Sequence, residues 1–397
     1  MLLNKENCTG CGACENICSV NAVKMEVKSG DGFWYPVVNN ELCVSCGMCE
    51  SVCTALHPEK IMKIETEPKA FVVQNKDKGV LKTSAAGGAF SALAEQIIKR
   101  NGVVFGAAID DSFTVKHKWI DTADGIAELR QSKYVQSEIG NTFSECKNFL
   151  ESGKPVLFCG TPCQISGLHA FLGKKYKNLF TMDVRCHSIP SPVVFSKYMS
   201  WQLHNQPDIK RISFRDKYNG YSYSTVAMYD GNENCVYRKA SEADPWLRLF
   251  HSRKCSRLSC YDCQYQKSEA RSSDISVWDN WNANVMAPSL DNNLGTTNVV
   301  CRTENGIRLF KYAENDISFV SIPFKRISGH LTKTVTPVPT DRKKLLEDAE
   351  CMSGTDFINK YAPMSIKFRL LSLGRYLLYK THLHDSVRRF TNRLKRR

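Results

Sequence analysis

The sequence CTGCGACENIC at residues 8–18 and the sequence CVSCGMCESVC at residues 43–53 decide the fold of the N-terminal part of this chain. Both have the spacing C-x2-C-x2-C-x3-C, so the second stretch repeats the first. Three cysteines spaced by two residues can reach three corners of one cubane, and the fourth cysteine lies on the helical turn that follows. The repeat is the pattern by which a small bacterial module holds two 4Fe–4S clusters.

The fourth cysteine of each stretch is expected to bind the cluster of the other stretch. Two ligand sets are therefore predicted: Cys8, Cys11, Cys14 and Cys53 for one cluster, and Cys43, Cys46, Cys49 and Cys18 for the other. Zinc is the alternative, but zinc sites take their four cysteines in two separated pairs. The triple two-residue spacing therefore favours iron–sulfur clusters.

The composition of the 397-residue chain is that of a globular protein, apart from its 18 cysteines. Hydrophobic residues at 42% and charged residues at 24% exclude a wholly disordered or collagen-like chain. The first residues contain no apolar core of a secretory signal, and no apolar run reaches the roughly 18 residues of a membrane span. We therefore expect a cytoplasmic protein, peripheral at the inner membrane face at most, whose cysteines are not disulfide-bonded.

Beyond the cysteine repeat, the pattern of apolar residues changes to helices alternating with strands, which predicts an α/β domain with a mostly parallel sheet. The predicted layout has four parts: an α+β two-cluster ferredoxin module at 1–66, the α/β domain at 67–331 (with an N-terminal part 70–150 and a C-terminal part 153–330), a linker at 332–342, and a basic helical tail at 343–397.

A second group of cysteines follows predicted strands of the α/β domain. Cys163 comes after the strand 155–159, and Cys186 comes after the strand 179–184, so both are expected at the carboxyl edge of one sheet, where open sheets bind ligands. Cys260 and Cys263 complete a possible set of four, with Cys255 as a spare. This set predicts a third 4Fe–4S cluster. The alternative is that these cysteines are buried small residues.

Three further features could carry chemistry. Gly87 and Gly88 precede a predicted helix, where backbone amides could face a phosphate, although a plain capping loop explains them as well. His187, beside Cys186, is a candidate proton donor, and a packed histidine is the alternative. Asp279 lies near two tryptophans, which suggests a ring-lined site or simply a buried aromatic cluster.

The stretch 363–397 holds ten lysines and arginines and one acidic residue, out of a formal net charge of +14 for the whole chain. Its apolar residues recur at helical spacing, which predicts basic amphipathic helices. Three interpretations compete: an anchor on an anionic membrane surface, a docking helix for an acidic partner, and a solvated flank. The first two are favoured, because basic amphipathic helices bind anionic lipids. No nucleic-acid motif accompanies the charge, so nucleic acid is not an expected partner.

Several motifs, taken in order, identify a resemblance to the coenzyme F420 hydrogenase/dehydrogenase beta-subunit family over about residues 82–310. They are SAAGGAFSALA at 84–94, SKYVQS at 132–137, GTPCQISGL at 160–168, CHSIPSP at 186–192, FRDK at 214–217, SCYDC at 259–263 and the stretch 271–281. The resemblance implies a flavoprotein, usually with FAD, that also holds a cluster in its main domain. It implies flavin contacts at Gly87, Gly88, Ser132, Lys133 and Tyr134, and it supports the third cysteine set.

The resulting expectation is an iron–sulfur flavoprotein oxidoreductase that passes electrons between ferredoxin-type 4Fe–4S clusters and a flavin. The flavin would reduce or oxidise an organic substrate, which is either coenzyme F420-like or a biosynthetic intermediate, for instance of polysaccharide assembly. The expected partners are a redox protein or a small-molecule substrate. The alternative is a non-catalytic electron-transfer or accessory subunit of a membrane-associated biosynthetic complex.

Overall fold

The computed structural model describes residues 5–27, 30–64, 66–266, 271–331, 335–381, 383, 386 and 387. The part of the predicted tail from residue 388 onward, and residues 332–334 of the predicted linker, lie outside these described residues.

The N-terminal module consists of two short helices and a hairpin. Its elements are α1 (Ala13–Asn16), β1 (Val23–Val27), β2 (Trp34–Val38) and α2 (Met48–Ser51), with β1 and β2 antiparallel. Each helix begins after a glycine in the left-handed region, Gly12 at φ 76° and Gly47 at φ 73°. Glycine adopts this conformation without steric cost, so the chain can turn sharply between the cysteines of each stretch.

An eight-stranded mixed sheet forms the centre of the main domain. Its strands are β3 (Lys69–Asn75), β4 (Val103–Ile109), β5 (Val115–Ile120), β6 (Val156–Gly160), β7 (Leu179–Val184), β11 (Ile275–Asp279), β12 (Thr297–Cys301) and β13 (Ile317–Ile322). They lie in the order β13-β3-β12-β11-β7-β6-β4-β5. The four neighbours β11, β7, β6 and β4 are parallel, and the outer pairings are antiparallel.

The predicted mostly parallel sheet is therefore present in its centre, and five of the eight described strands run in one direction. The predicted division at about residue 150 does not separate two cores. Strands from both sides of that position, for example β4 and β6, pair within the same sheet.

Helices cover both faces of this sheet. On one face lie α4 (Ala89–Ile98), α5 (Ile126–Leu129) and α11 (Glu304–Tyr312); on the other lie α6 (Thr142–Glu151), α7 (Pro162–Leu172) and the N-terminal module. The module is fixed there by apolar packing of Ala13 and by the Asn16 side chain, which donates to Gly140 O at 2.7 Å. The predicted ferredoxin module is thus packed onto the main domain.

A second core lies beside the sheet. It is built from α8 (Pro192–Asn205), the antiparallel strands β8 (Arg211–Asp216), β9 (Thr225–Tyr229) and β10 (Cys235–Ala240), and α9 (Pro245–Ser252). The short helix α3 (Lys78–Thr83) follows β3, and the short helices α10 (Ala283–Met286) and α12 (Lys325–Ser328) pack near β12 and β13.

The helical segment that follows the linker departs from the prediction. The helices α13 (Arg342–Cys351) and α14 (Gly354–Tyr361) belong to the second core, because Leu345 and Phe357 are completely buried there. The basic residues at the start of α13 made this segment resemble the tail, but its apolar face is covered. Among the described residues of the predicted tail, the helix α15 (Ile366–Lys380) contributes no residue to this buried core. Within the described residues, no helix is long and apolar enough to span a bilayer.

Candidate electron-transfer site

The first predicted ligand set lies around one cavity of the N-terminal module. Cys8, Cys11, Cys14 and Cys53 all line this cavity, together with the neighbouring residues in 9–13 and 54–56. Burial and the neighbouring thiols raise the pKa of Cys11 to about 12. Bare thiolates are therefore disfavoured in this cavity, whereas bound iron supplies the positive charge that a thiolate needs.

The second predicted set is also brought together, nearer to the surface. Burial raises the pKa of Cys49, and the charges of Cys18, Cys46 and Cys43 raise it further, so these four sulfurs are neighbours. Cys49 also lines the first cavity, and Cys46 is exposed to solvent. The outer position of this set is suited to exchange of electrons with another molecule.

The third predicted set meets in a separate cavity of the main domain. Cys163, Cys186, Cys260 and Cys263 line it, as predicted from strand ends and spacing. Cys163 lies in the first turn of α7, which begins with a capping box formed by Thr161 and Gln164. The backbone N–H of Ile189 donates to Cys260 Sγ at 3.4 Å. Burial raises the pKa values of Cys163, Cys260 and Cys263 to about 11 each, which again suits metal-bound rather than free thiolates.

The cysteines outside these three sets lie elsewhere. Cys255 is buried in the second core, where its carbonyl accepts a hydrogen bond from Ser191 N at 2.8 Å. Cys146 and Cys301 are fully buried, and Cys235 and Cys351 are exposed. Within the described residues, no group of three or more His, Cys, Asp or Glu side chains is arranged to hold a single metal ion. A cubane contains eight atoms, so the sulfurs around it lie further apart than those around one ion.

The first and third cavities share a wall. Thr9 lines both of them. Burial has the largest effect in raising the pKa of Cys11, and the charges of Cys53, from the first set, and Cys163, from the third set, raise it further. On the same boundary, the hydroxyl groups of Thr54 and Tyr265 form a hydrogen bond at 2.8 Å. The N-terminal module and the main domain therefore contribute to one continuous arrangement of cysteine sites.

A buried arginine that was not predicted lies on this boundary. The Arg257 guanidinium donates to Cys8 O at 2.6 Å, to Cys8 Sγ at 3.3 Å and to Trp34 O at 2.9 Å, and it stacks 4.2 Å from the Tyr35 ring centroid. Its side chain is completely buried. A buried cation beside a ligand sulfur favours the more negatively charged state of a cluster.

A second buried arginine supports the third set. Arg271 donates to Asp183 Oδ1 at 2.7 Å, and both side chains are almost completely inaccessible to solvent. Its positive charge also lowers the pKa of Cys186 and Cys263, against the larger effect of burial. The ion pair compensates most of the charge of Arg271, so its main effect is to fix the end of β7 from which Cys186 follows.

His187 lies where the sequence placed it, next to the third set. Its ring contacts Phe250 with centroids 5.1 Å apart and lies 6.0 Å from the ring of His251. Burial, together with the charges of Arg253, His251 and Arg185, lowers the pKa of His187 to about 4. The imidazole is therefore neutral near pH 7, and its role as a proton donor stays a prediction.

Beyond His187, aromatic contacts lead to a partly buried ion pair. Tyr134 stacks on Phe250 at 4.5 Å, and its hydroxyl accepts from Arg215 Nη1 at 3.4 Å. The same nitrogen of Arg215 donates to Asp279 Oδ2 at 2.6 Å. Arg215 Nη2 is buried and has no hydrogen-bond partner among the described residues. Most buried donors in proteins are hydrogen-bonded to the protein, to ordered water or to a bound group.

The predicted glycine loop lies beside this ion pair, but its amides are partly used within the fold. Gly87 N donates to Thr297 Oγ1 at 2.8 Å, and a Cβ at Gly87 would lie 2.6 Å from Thr297 N. Gly88 has φ 72° and begins α4. Lys217 holds the loop by donating to Ala86 O at 2.5 Å. Close backbone packing thus explains Gly87, and its flavin role stays a prediction.

The other predicted flavin contacts lie on the same side of the domain. Lys133 Nζ donates to the carbonyls of Glu128 and Arg130 at 2.8 and 2.7 Å, and burial lowers the pKa of Lys133 to about 7. Ser132 is half-buried beside it. Lys133 therefore stabilises the turn before Tyr134, and its predicted contact with a flavin stays a prediction.

A substrate-sized cavity of about 460 Å³ opens between α9 and the start of α15. It is lined among others by His251, Arg248, Lys254 and Phe368. Its volume lies within the usual range for small-molecule sites. Sequence patterns gave no sign of it, because its walls come from segments more than a hundred residues apart.

Comparison with known proteins identifies both parts of the chain. Residues 7–55 match the 4Fe-4S dicluster domain. Residues 153–325 match the family described as the C terminus of the coenzyme F420 hydrogenase/dehydrogenase beta subunit. These residues belong to that family. The beta-subunit resemblance indicated by the motifs is thereby confirmed, as is the N-terminal iron–sulfur module.

A solved structure is also similar to this beta-subunit-like chain. It is a chain of the xenon-derivatised F420-reducing NiFe hydrogenase complex from Methanosarcina barkeri, with 18% sequence identity and a TM-score of 0.42, covering 78% of this chain and 96% of that chain. No curated protein matches the chain. The family relation and the dicluster domain establish an iron–sulfur, oxidoreductase-like electron-transfer function.

Proposed function

We propose that this chain is an iron–sulfur flavoprotein oxidoreductase that exchanges electrons between three cluster sites and a flavin acting on an organic substrate. One observation carries the proposal. The four cysteines of the third set meet in a cavity that shares Thr9 with the cavity of Cys8, Cys11, Cys14 and Cys53. Sites that share a wall are close enough for rapid exchange of electrons between their occupants.

The donor chemistry of these cavities fits 4Fe–4S clusters. The first cavity presents the four thiols of its predicted set together with that of Cys49, and the third cavity presents four thiols. The buried cations Arg257 and Arg271 act on the thiols of the first and third sets. When bound, the clusters exchange single electrons, and a flavin links single-electron chemistry to hydride transfer. The contribution of the protein is to hold the ligand sulfurs, exclude water and set the local charge.

A flavin site is supported near the Arg215–Asp279 ion pair. Arg215 Nη2 and Asn280 Nδ2 are buried donors without a partner among the described residues, and Tyr134 connects this region to Phe250 and His187. Flavin rings and phosphates provide several acceptors for such donors. The cavity beside His251 would admit the organic substrate, which the family name suggests to be coenzyme F420 or a compound handled in a similar way.

One observation favours the rival function, a non-catalytic electron-transfer subunit. Trp281, at the predicted ring-lined site, stacks on Tyr221 with ring centroids 4.5 Å apart, and the guanidinium of Arg215 lies 4.8 Å from the Trp281 ring centroid. These side chains occupy space in which a planar cofactor could otherwise stack.

Anaerobic purification followed by iron, sulfide and flavin analysis tests the proposal. Three cubanes give about 12 irons per chain, whereas two give about 8. Cys260→Ala should lower the iron content to about 8, and Cys255→Ala, a matched change of a buried cysteine outside the cavity, should leave it near 12.

The flavin part of the proposal has a separate readout. Bound flavin that is bleached by dithionite and reoxidised by a candidate acceptor supports the enzyme. A protein with about 12 irons and no flavin would instead support the electron-transfer subunit. About 8 irons in the wild type, unchanged by Cys260→Ala, would reject the third cluster site.

A further inference from the structure

The helix α15 lies on the second core through one of its faces. The Arg375 guanidinium pairs with Glu242 and donates to Tyr223 O at 2.5 Å. One turn further on, Tyr379 meets the ring of Tyr223 edge-on, with centroids 5.4 Å apart. Near the start of the helix, the centroid of the Phe368 ring lies 3.8 Å from the guanidinium carbon of Arg248. This face of α15 is therefore fixed to the protein.

The opposite face of α15 is apolar and exposed. Ile366, Leu370, Leu373 and Leu377 have exposed fractions of 75%, 63%, 54% and 53%. Their spacing of four, three and four residues places them within about 60° of one another around the helix axis, and about 170° from Arg375. We call these four residues the apolar stripe. Isolated exposed leucines are common, but a continuous row of four along one helix marks a contact surface.

The positive charge of α15 and of the sequence that follows it complements an anionic surface. Arg369 and Lys380 are exposed on α15, beside the apolar stripe. In the sequence, residues 363–397 hold ten lysines and arginines and a single acidic residue. A cationic helix with an apolar stripe of this width is suited to the boundary between anionic headgroups and acyl chains.

We propose that α15 docks this protein flat on an anionic lipid surface, with the apolar stripe entering the headgroup boundary. The contacts of Arg375 and Tyr379 hold the helix on the protein while the stripe faces the lipid. The helix has 15 residues, so it is suited to lying in the plane of the surface rather than crossing it. This inference does not depend on the proposed redox function.

Flotation of the full chain with vesicles tests the inference. We expect binding to phosphatidylcholine vesicles that contain phosphatidylserine, and at least about tenfold weaker binding to phosphatidylcholine alone, because cations supply part of the affinity. Leu370→Ser together with Leu373→Ser should weaken binding to the anionic vesicles by about tenfold or more. Leu371→Ser is the matched control, since Leu371 is an exposed leucine of the same helix outside the stripe.

The outcomes distinguish lipid from protein partners. All the substituted leucines are exposed, so a thermal unfolding curve like that of the wild type is expected for each variant. Wild-type affinity of the Leu370→Ser and Leu373→Ser variant for anionic vesicles would overturn the inference. Failure of the wild type to float with anionic vesicles would also overturn it. In that case, a dimer that forms in the wild type but not in the double variant would assign the apolar stripe to contact with a second copy of the chain.

Discussion

Removing the Arg257 guanidinium should lower the reduction potential of the cluster held by Cys8. Its Nη2 lies 3.3 Å from Cys8 Sγ, and the side chain is completely buried. Because an added electron makes the cluster more negative, a buried positive charge at this distance stabilises the reduced state. Arg257→Gln keeps a hydrogen-bonding side chain but removes that charge.

The size of the shift follows from Coulomb's law. Two unit charges about 4 Å apart interact by roughly 4 kcal/mol at an effective dielectric constant of about 20. The added electron is spread over the cluster rather than placed on one sulfur. We therefore expect removal of the Arg257 charge to destabilise the reduced cluster by about 1–2 kcal/mol. At about 59 mV for each factor of ten, this energy corresponds to a potential roughly 40–90 mV more negative.

An anaerobic redox titration followed by electron paramagnetic resonance measures this shift. Arg257→Lys keeps the charge and should shift the potential by less than half as much as Arg257→Gln. Arg326→Gln changes an exposed arginine and should leave the potential unchanged. Iron analysis and a thermal unfolding curve establish that each variant is loaded and folded. A loaded Arg257→Gln protein with a potential within about 10 mV of the wild type would refute the reasoning.

Three further predictions concern stability. Arg271→Met leaves the buried Asp183 without its partner and should cost about 3–5 kcal/mol in urea unfolding; a loss below about 1 kcal/mol would contradict the pairing. Gly87→Ala forces a methyl group against strand backbone and should cost about 1–3 kcal/mol, whereas Gly374→Ala, in open space on α15, should not destabilise. Hydrogen bonds from lysines lower the pKa of Asp348. The ionised Asp348 carboxylate therefore stabilises the folded protein above about pH 4, and this stabilisation is lost as the pH falls below that value. In acid unfolding experiments, the free energy of unfolding of Asp348→Asn should fall less steeply between about pH 5 and 2 than that of the wild type.

Local signals in the sequence predicted much of this architecture. The strand at 179–184 has the predicted bounds, because a short apolar run between helices is distinctive. The three cysteine sets were brought together as expected. For the third set, the reason is that loops after parallel strands meet at one sheet edge.

Features set by distant pairings were not predictable in this way. The strand β3 lies between β12 and β13, which follow it by more than two hundred residues, so its antiparallel neighbours leave no local pattern. Arg257 lies in a segment without clear periodicity, and nothing in its spacing shows that its guanidinium is buried against Cys8. Arg215 and Lys217 belong to the FRDK motif, which was the one signal that could have located them.

The wall that Thr9 contributes to two cavities has a consequence for how this chain exchanges electrons. A free ferredoxin finds its acceptor by diffusion, at a rate that falls as either protein is diluted. Here the N-terminal module is covalently joined to the main domain and packed against it, so electron transfer between them, in either direction, is a first-order event that dilution does not slow. We expect the concentration-dependent collision with an outside redox partner to occur instead at the second set, whose Cys46 is exposed.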